Sequence, residues 1–196
     1  QNEINNGTTF IVKSDLLSIR FIRQGEGWKR PTNFIKENNI TPIIDKPNNK
    51  VETNEGASSD LESLMGSRVF SFPKPVSLIK YLINFIIKEN DIVVDFFSGS
   101  ATTAESILSY NSINKDVNLR YILVQLPENL DENLSNSDAQ NKLIIENAIS
   151  LLDTLKKPHT LDQIGMERIR RAATKIKAET GADIDYGFKH YTLVEP

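Results

Sequence analysis

The sequence predicts an α/β fold, a mostly parallel sheet with helices on both faces, and three observations carry that expectation. Ile92, Val93 and Val94 form a short β-branched run, the pattern of a strand buried on both faces. Ser98, Gly99 and Ser100 make a turn of small residues, followed by a helix with Ala104, Ile107 and Leu108 on its apolar side. Residues 121–126 then form a second apolar run of strand length. In an open α/β sheet ligands bind outside the carboxyl ends of the strands, so residues 91–104 organise the chain. Small residues let backbone N–H groups approach a ligand, and a helix N-terminus behind them favours negative charge. Asp95, at the strand end, adds a partner for a ligand cation or hydroxyl. The implied ligand carries both signs, or an anion and a polar sugar. On spacing alone, with Ala101 where a later glycine is usual, an ordinary strand-to-helix turn fits equally well.

Each further element follows in chain order. Residues 1–8 are polar, and residues 9–12 and 17–22 read as a hairpin, with Leu17, Ile19 and Phe21 alternating with Ser18 and Arg20. Lys13, Arg20, Arg23, Lys29, Arg30 and Lys36 then surround Trp28. On charge alone this is a solvated face; the functional alternative is contact with DNA phosphates. Pro42, Pro47, Asn48, Asn49, Asn54 and Gly56 mark a loop-rich connection. Ser59 and Glu62 have capping-box spacing for a short helix that ends near Gly66. Phe72, Pro73, Lys74 and Pro75 make a rigid elbow before a helix over 76–89, whose stripe includes Leu78, Ile79, Leu82, Ile83, Phe85 and Ile86.

The helix after the small-residue turn covers 101–110. An acceptor at the end of the second strand suits a ribose hydroxyl pair, and Gln125 and Glu128 both stand there. Residues 131–138 read as an acidic loop and 142–155 as a helix stopped by Pro158. A last helix, 161–179, carries Arg168, Arg170, Arg171, Lys175 and Lys177, read as a solvated basic face or a DNA or subunit contact. Gly181 ends it, and residues 186–194 alternate as a final strand in which His190 is structural.

Composition narrows the class. The chain has 196 residues, 39% of them apolar and 25% charged, enough for a buried core in a globular protein. With no cysteine there is no disulfide framework and no thiolate metal site, which fits a reducing cytoplasm. No apolar run approaches the roughly 20 residues of a bilayer span, and no secretory signal is present. A net charge of −3 confines any nucleic-acid contact to a local patch. A chain that starts at Gln1 reads as processed or truncated.

The segment DFFSGSATTA, from Asp95, resembles the AdoMet-binding motif of amino-methylating DNA methyltransferases, where D-x-F-x-G-S-G-T-T is usual. FSFPKPVSLIKYLI, from Phe70, looks like the Pro-Lys-Pro segment that precedes this motif in the permuted β-class order. RYILVQLPE, from Arg120, and GMERIRRAATKI, from Gly165, are similar to the C-terminal half of type III modification subunits. Ala101 is the departure from the motif.

The resemblance implies a Rossmann-like AdoMet-dependent methyltransferase fold, incomplete here, with S-adenosyl-L-methionine as cofactor. It implies a cradle of Asp95, Phe96, Phe97, Gly99, Ser100 and Thr102, joined by Phe72, Pro73, Lys74 and Pro75, with Gln125 or Glu128 on the ribose. It implies methylation of the adenine N6 amino group in a short site on double-stranded DNA. The implied partners are a second copy of the full-length subunit and a nuclease/helicase restriction subunit, in the cytoplasm. Residues 1–57 would be the end of a target-recognition region with its connecting loop, and 58–196 the methyltransferase core.

One family feature is absent. The Asp/Asn/Ser-Pro-Pro-aromatic tetrapeptide that receives a flipped base does not occur; Pro73 and Pro75 are separated by a lysine. No catalytic or metal-binding residue is therefore assigned, and the chain is expected to be inactive alone, with the motif-bearing strand missing and a sheet edge unpaired. Two rivals remain: another Rossmann-type nucleotide-binding enzyme, against which the lack of a three-glycine fingerprint counts, and a DNA-recognition or assembly module with a decayed cofactor fold.

Overall fold

The chain divides into two units, Gln1–Phe34 and Ile35–Pro196. In the computed structural model the described residues are the strands Thr9–Val12 and Ile19–Ile22 and residues 51–193, the side chain of Phe85 excepted. In the first unit β1 (Thr9–Val12) pairs antiparallel with β2 (Ile19–Ile22), Thr9 opposite Ile22, as the alternation predicts. Leu17, the basic stretch around Trp28, the prolines at 42 and 47, and Val194 lie outside the described residues.

In the second unit α1 (Asn54–Met65) starts five residues before the expected Ser59. Thr53 is the cap that wins: its hydroxyl accepts the Gly56 N–H at 3.1 Å. Gly66, at φ 82°, ends the helix where expected. The expected boundary at 57/58 falls inside this helix. Next, α2 (Val76–Ile86) stops short of Glu89, because the Lys88 N–H donates to Asp91 Oδ2 at 2.7 Å and Asn90 turns at φ 65°.

β3 (Ile92–Asp95) and β4 (Arg120–Leu123) pair in parallel, Ile92 opposite Arg120 and Asp95 opposite Leu123. The crossover a parallel pair requires is α3 (Thr102–Ile113), which outruns its expected end. Within it Asn111 clasps the approach to β4, donating to the Leu119 carbonyl at 2.9 Å and accepting the Leu119 N–H at 3.0 Å. The acidic stretch is a helix, α4 (Leu130–Asn136), not a loop. Asn129 caps it by accepting from the Asp131 and Glu132 N–H groups, and those two acids suit a helix N-terminus. α5 (Ala139–Leu155) and α6 (Leu161–Thr180) complete the helices as expected to within a few residues.

α3 sits at the centre. Ala101, Ala104 and Leu108 pack on Ile169, Ala172 and Ile176 of α6, while Ile107 and Tyr110 pack with Ile83 and Leu119. Leu61 and Met65 of α1 meet Leu152 of α5 and Ile164 of α6 in a separate cluster.

Two expectations are corrected. The described residues after α6 form no strand; Ile184, Tyr186 and Phe188 instead pack on the α6 cluster, with the Arg170 guanidinium 5.5 Å from the Phe188 ring. The paired strands are also not buried on both faces. Val93 and Tyr121 face the helices, but Ile92, Val94 (46% exposed), Ile122 and Val124 are open, because helices cover one face of the sheet among the described residues.

Candidate cofactor site

Pairing continues past the two strands and seats the turn. The Val124 N–H donates to the Asp95 carbonyl at 2.8 Å, and the Ser98 N–H donates to the Val124 carbonyl at 3.2 Å. Side chains reinforce this at the strand tips. Asp95 Oδ2 accepts from the Thr103 hydroxyl at 2.6 Å and Oδ1 from the Phe97 N–H at 3.2 Å. Gln125 Oε1 accepts the Gly99 N–H at 2.7 Å, and its Nε2 donates to the Leu126 carbonyl at 3.1 Å.

Two left-handed residues shape the turn, Gly99 at φ 51° and Ala101 at φ 61°. For Ala101 this costs about 1 kcal/mol, the penalty a glycine would avoid. Gly99 has a second constraint, since a Cβ there would lie 3.2 Å from Phe70 Cζ. The segment before the Pro-Lys-Pro elbow therefore packs directly on the turn.

The expectation of N–H groups open to an anion is corrected in part, for the turn but not for the first residues of α3. The N–H groups of Phe97, Ser98, Gly99 and Ala101 are all bound inside the chain, the last to the Ser98 carbonyl at 2.7 Å. The end of β4 and the Gln125 amide fold over the turn and use those donors. The site also offers acceptor capacity on Asp95 and exposed rings, with Phe97 87% exposed and Phe72 and Phe96 also open.

The remaining residues divide clearly. Pro73 and Pro75 are buried while Lys74 is exposed. Pro75 is the N-cap of α2, and its carbonyl accepts the Leu78 N–H at 3.1 Å. Gln125 is brought onto the turn, whereas the Glu128 carboxylate meets Asn133 of α4 at 3.5 Å. The hydroxyls of Ser100 and Thr102 are buried beneath the turn, where both accept from Arg168. Elsewhere, burial holds the Lys80 ammonium below its ordinary value, beside the Ser109 hydroxyl at 3.1 Å. Burial first, and Asp185 second, push the Tyr121 phenol up to about 12.

Sequence reasoning missed Arg168 and Arg171. Neither lies on a solvated basic face. Arg168 is 2% exposed, and Arg171 donates to the Met65 carbonyl at the C-terminus of α1 at 2.7 Å. The signal was in the spacing: Arg168 shares the stripe of Gly165, Ile169, Ala172 and Ile176, which is the buried side of α6.

These features define an α/β domain with a hydrogen-bonded turn where its parallel strands end. The chain belongs to the DNA methylase family, whose pattern matches residues 20–124, more than half of its length. It is 33% identical over 147 residues to the type III restriction-modification enzyme StyLTI Mod subunit of Salmonella typhimurium, covering 74% of this chain and 20% of that protein. It is 41% identical over 73 residues to the type III EcoPI Mod subunit of Escherichia phage P1, covering 37% and 11% respectively. It is also 37% identical over 60 residues to the type II methyltransferase M.KpnI of Klebsiella pneumoniae, covering 31% and 14%. The chain thus spans about a fifth or less of the length of these curated relatives.

Proposed function

We propose that this chain is the S-adenosyl-L-methionine-binding part of a Rossmann-like, site-specific DNA methyltransferase that methylates adenine N6 in a restriction-modification system. The observation that carries the reading is the turn itself: Asp95 at the end of β3 and Gln125 at the end of β4 both hold it by hydrogen bonds.

The residues present fit that cofactor. After its two internal bonds Asp95 retains an accepting lone pair on each oxygen, suited to an ammonium or a ribose hydroxyl. The exposed rings of Phe72, Phe96 and Phe97 suit a planar base. Gln125 is favoured over Glu128 as the ribose acceptor, because Gln125 already lies on the turn. Gly99 lets Phe70 close on the turn, and Pro73 and Pro75 brace the elbow from which Lys74 projects.

When bound, S-adenosyl-L-methionine supplies an electrophilic methyl group on its sulfonium. Asp95 and Gln125 bind and orient it, and the phenylalanine rings exclude water from it. Ser100 and Thr102 contribute through the shape of the turn, since Arg168 takes their hydroxyls.

Adenine as target, double-stranded DNA as substrate, a homodimer of the whole subunit and a nuclease/helicase restriction partner in the cytoplasm are proposed from the likeness to type III Mod subunits. Residues 1–57 are proposed as the end of a target-recognition region. The tetrapeptide that receives the flipped base does not occur in the chain, so methyl transfer by the chain alone is not expected.

Ultraviolet cross-linking of tritiated S-adenosyl-L-methionine tests the reading. Label on a peptide containing Phe96 or Phe97, competed by S-adenosylhomocysteine and not by NADH, is the expected result. Competition by NADH, or no specific label, would overturn it.

A further inference from the structure

We propose that Arg168 is the positioning residue of the cofactor turn, fixing from α6 the left-handed start of α3 that shapes the site. The proposal rests, for its effect on cofactor, on the reading of this turn as the S-adenosyl-L-methionine site.

Arg168 is enclosed, and each group it meets belongs to the turn or to the first residues of α3. Its Nη1 donates to the Ser100 hydroxyl at 2.8 Å, to the Thr102 hydroxyl at 2.7 Å and to the Ser100 carbonyl at 3.3 Å. Its Nε donates to Glu105 Oε2 at 2.6 Å, and that carboxylate is itself largely covered. The contacts flank Ala101, the residue forced into the left-handed region. Nη1 grips both sides of Ala101 while Nε of the same planar group holds Glu105, a two-nitrogen arrangement that a point charge cannot reproduce.

A second observation stands apart from these bonds. Gly165 lies one helical turn before Arg168, and a Cβ there would be 3.2 Å from the Gly99 carbonyl oxygen and 3.4 Å from Ala101 Cβ. Helix α6 therefore touches the turn's backbone at Gly165 and grips its side chains at Arg168. Phe70 also closes on Gly99. The conformation that aims Asp95 and Gln125 is thus set by a helix more than 60 residues downstream, through hydroxyls that would otherwise be assigned to the ligand.

The test uses the whole chain with Arg168→Lys, Thr102→Val and Arg168→Met/Glu105→Gln, the last removing both buried charges together. Amide hydrogen exchange is read at Gly99, Ser100 and Ala101, with Leu152 and Ile144 of α5 as reference, beside the affinity for S-adenosyl-L-methionine. Positioning predicts exchange at the turn at least about tenfold faster in all three variants, with the α5 amides changed much less. It predicts affinity lowered by about tenfold or more, and partial rescue of Arg168→Lys by added guanidinium ion. Turn amides that exchange as in the wild type, or that speed up only in step with α5, would overturn the proposal. If the wild type binds no S-adenosyl-L-methionine, the cofactor reading fails, and turn exchange alone decides the role of Arg168. Thr102→Val is expected to stay folded even if the charge variants do not, so a decision is always reached.

Discussion

Gln125 accepts the Gly99 N–H at 2.7 Å, so the tip of β4 is tied to the turn that leaves β3. One side chain thereby joins the two strand ends at the point where a ligand of an open α/β sheet is expected. Gln125→Ala should leave the fold intact at a cost of about 1 kcal/mol, the net worth of one such bond. Urea unfolding measures that cost, and affinity for S-adenosyl-L-methionine should fall several-fold in the same variant.

Thr103 plays the matching role on β3, where its hydroxyl donates to Asp95 Oδ2 at 2.6 Å. Thr103→Val keeps the shape and removes a bond to a charged acceptor. A loss of about 2 kcal/mol in unfolding free energy is expected, read from a lower urea midpoint at unchanged slope.

The two faces of the sheet should answer mutation differently. Ile107, fully buried between α3 and its neighbours, should cost about 3 kcal/mol when changed to Ala. Ile122→Thr, on the open face, should change stability by less than about 0.5 kcal/mol. Chemical denaturation of the two variants side by side checks the contrast.

His159 links the loop before α6 to α4 and α5. Its Nε2 meets Asp153 at 2.9 Å and its Nδ1 meets Asp131 at 3.1 Å. The bond to Asp153 first, and that to Asp131 second, raise its pKa above the ordinary histidine value. A raised folded-state value means the stabilisation is fully present below the ordinary value and disappears as pH rises through the raised one. NMR titration of His159 should show the upward shift. The melting temperature of His159→Gln should lose that part of its pH dependence.

Much of this was legible in the sequence, and the rest was hidden for physical reasons. The β3–turn–α3 unit was readable because a β-branched run, small residues and an apolar helix face are local signals. The start of α1 was not, because Thr53 and Ser59 both offer a cap and only packing of Ala57 and Leu61 decides between them. Residues 186–193 alternate as a strand does, yet Tyr186 and Phe188 find a helix to pack on. In the site, Asp95 and Gln125 could be named from their places at strand ends. Arg168 was obscured by its charge, although its position on the buried stripe of α6 was visible. The direction in which the turn's N–H groups point was invisible to spacing, because Gln125 and Val124 supply the acceptors from another strand.

Calorimetric titration of S-adenosyl-L-methionine into this chain, beside Asp95→Asn, tests the central claim most directly. That substitution keeps the shape of the side chain and removes its charge. The account predicts saturable heat with the folded wild type and affinity weakened by about tenfold or more in the variant. No saturable heat with the folded wild type, or equal affinity in the two proteins, would contradict it.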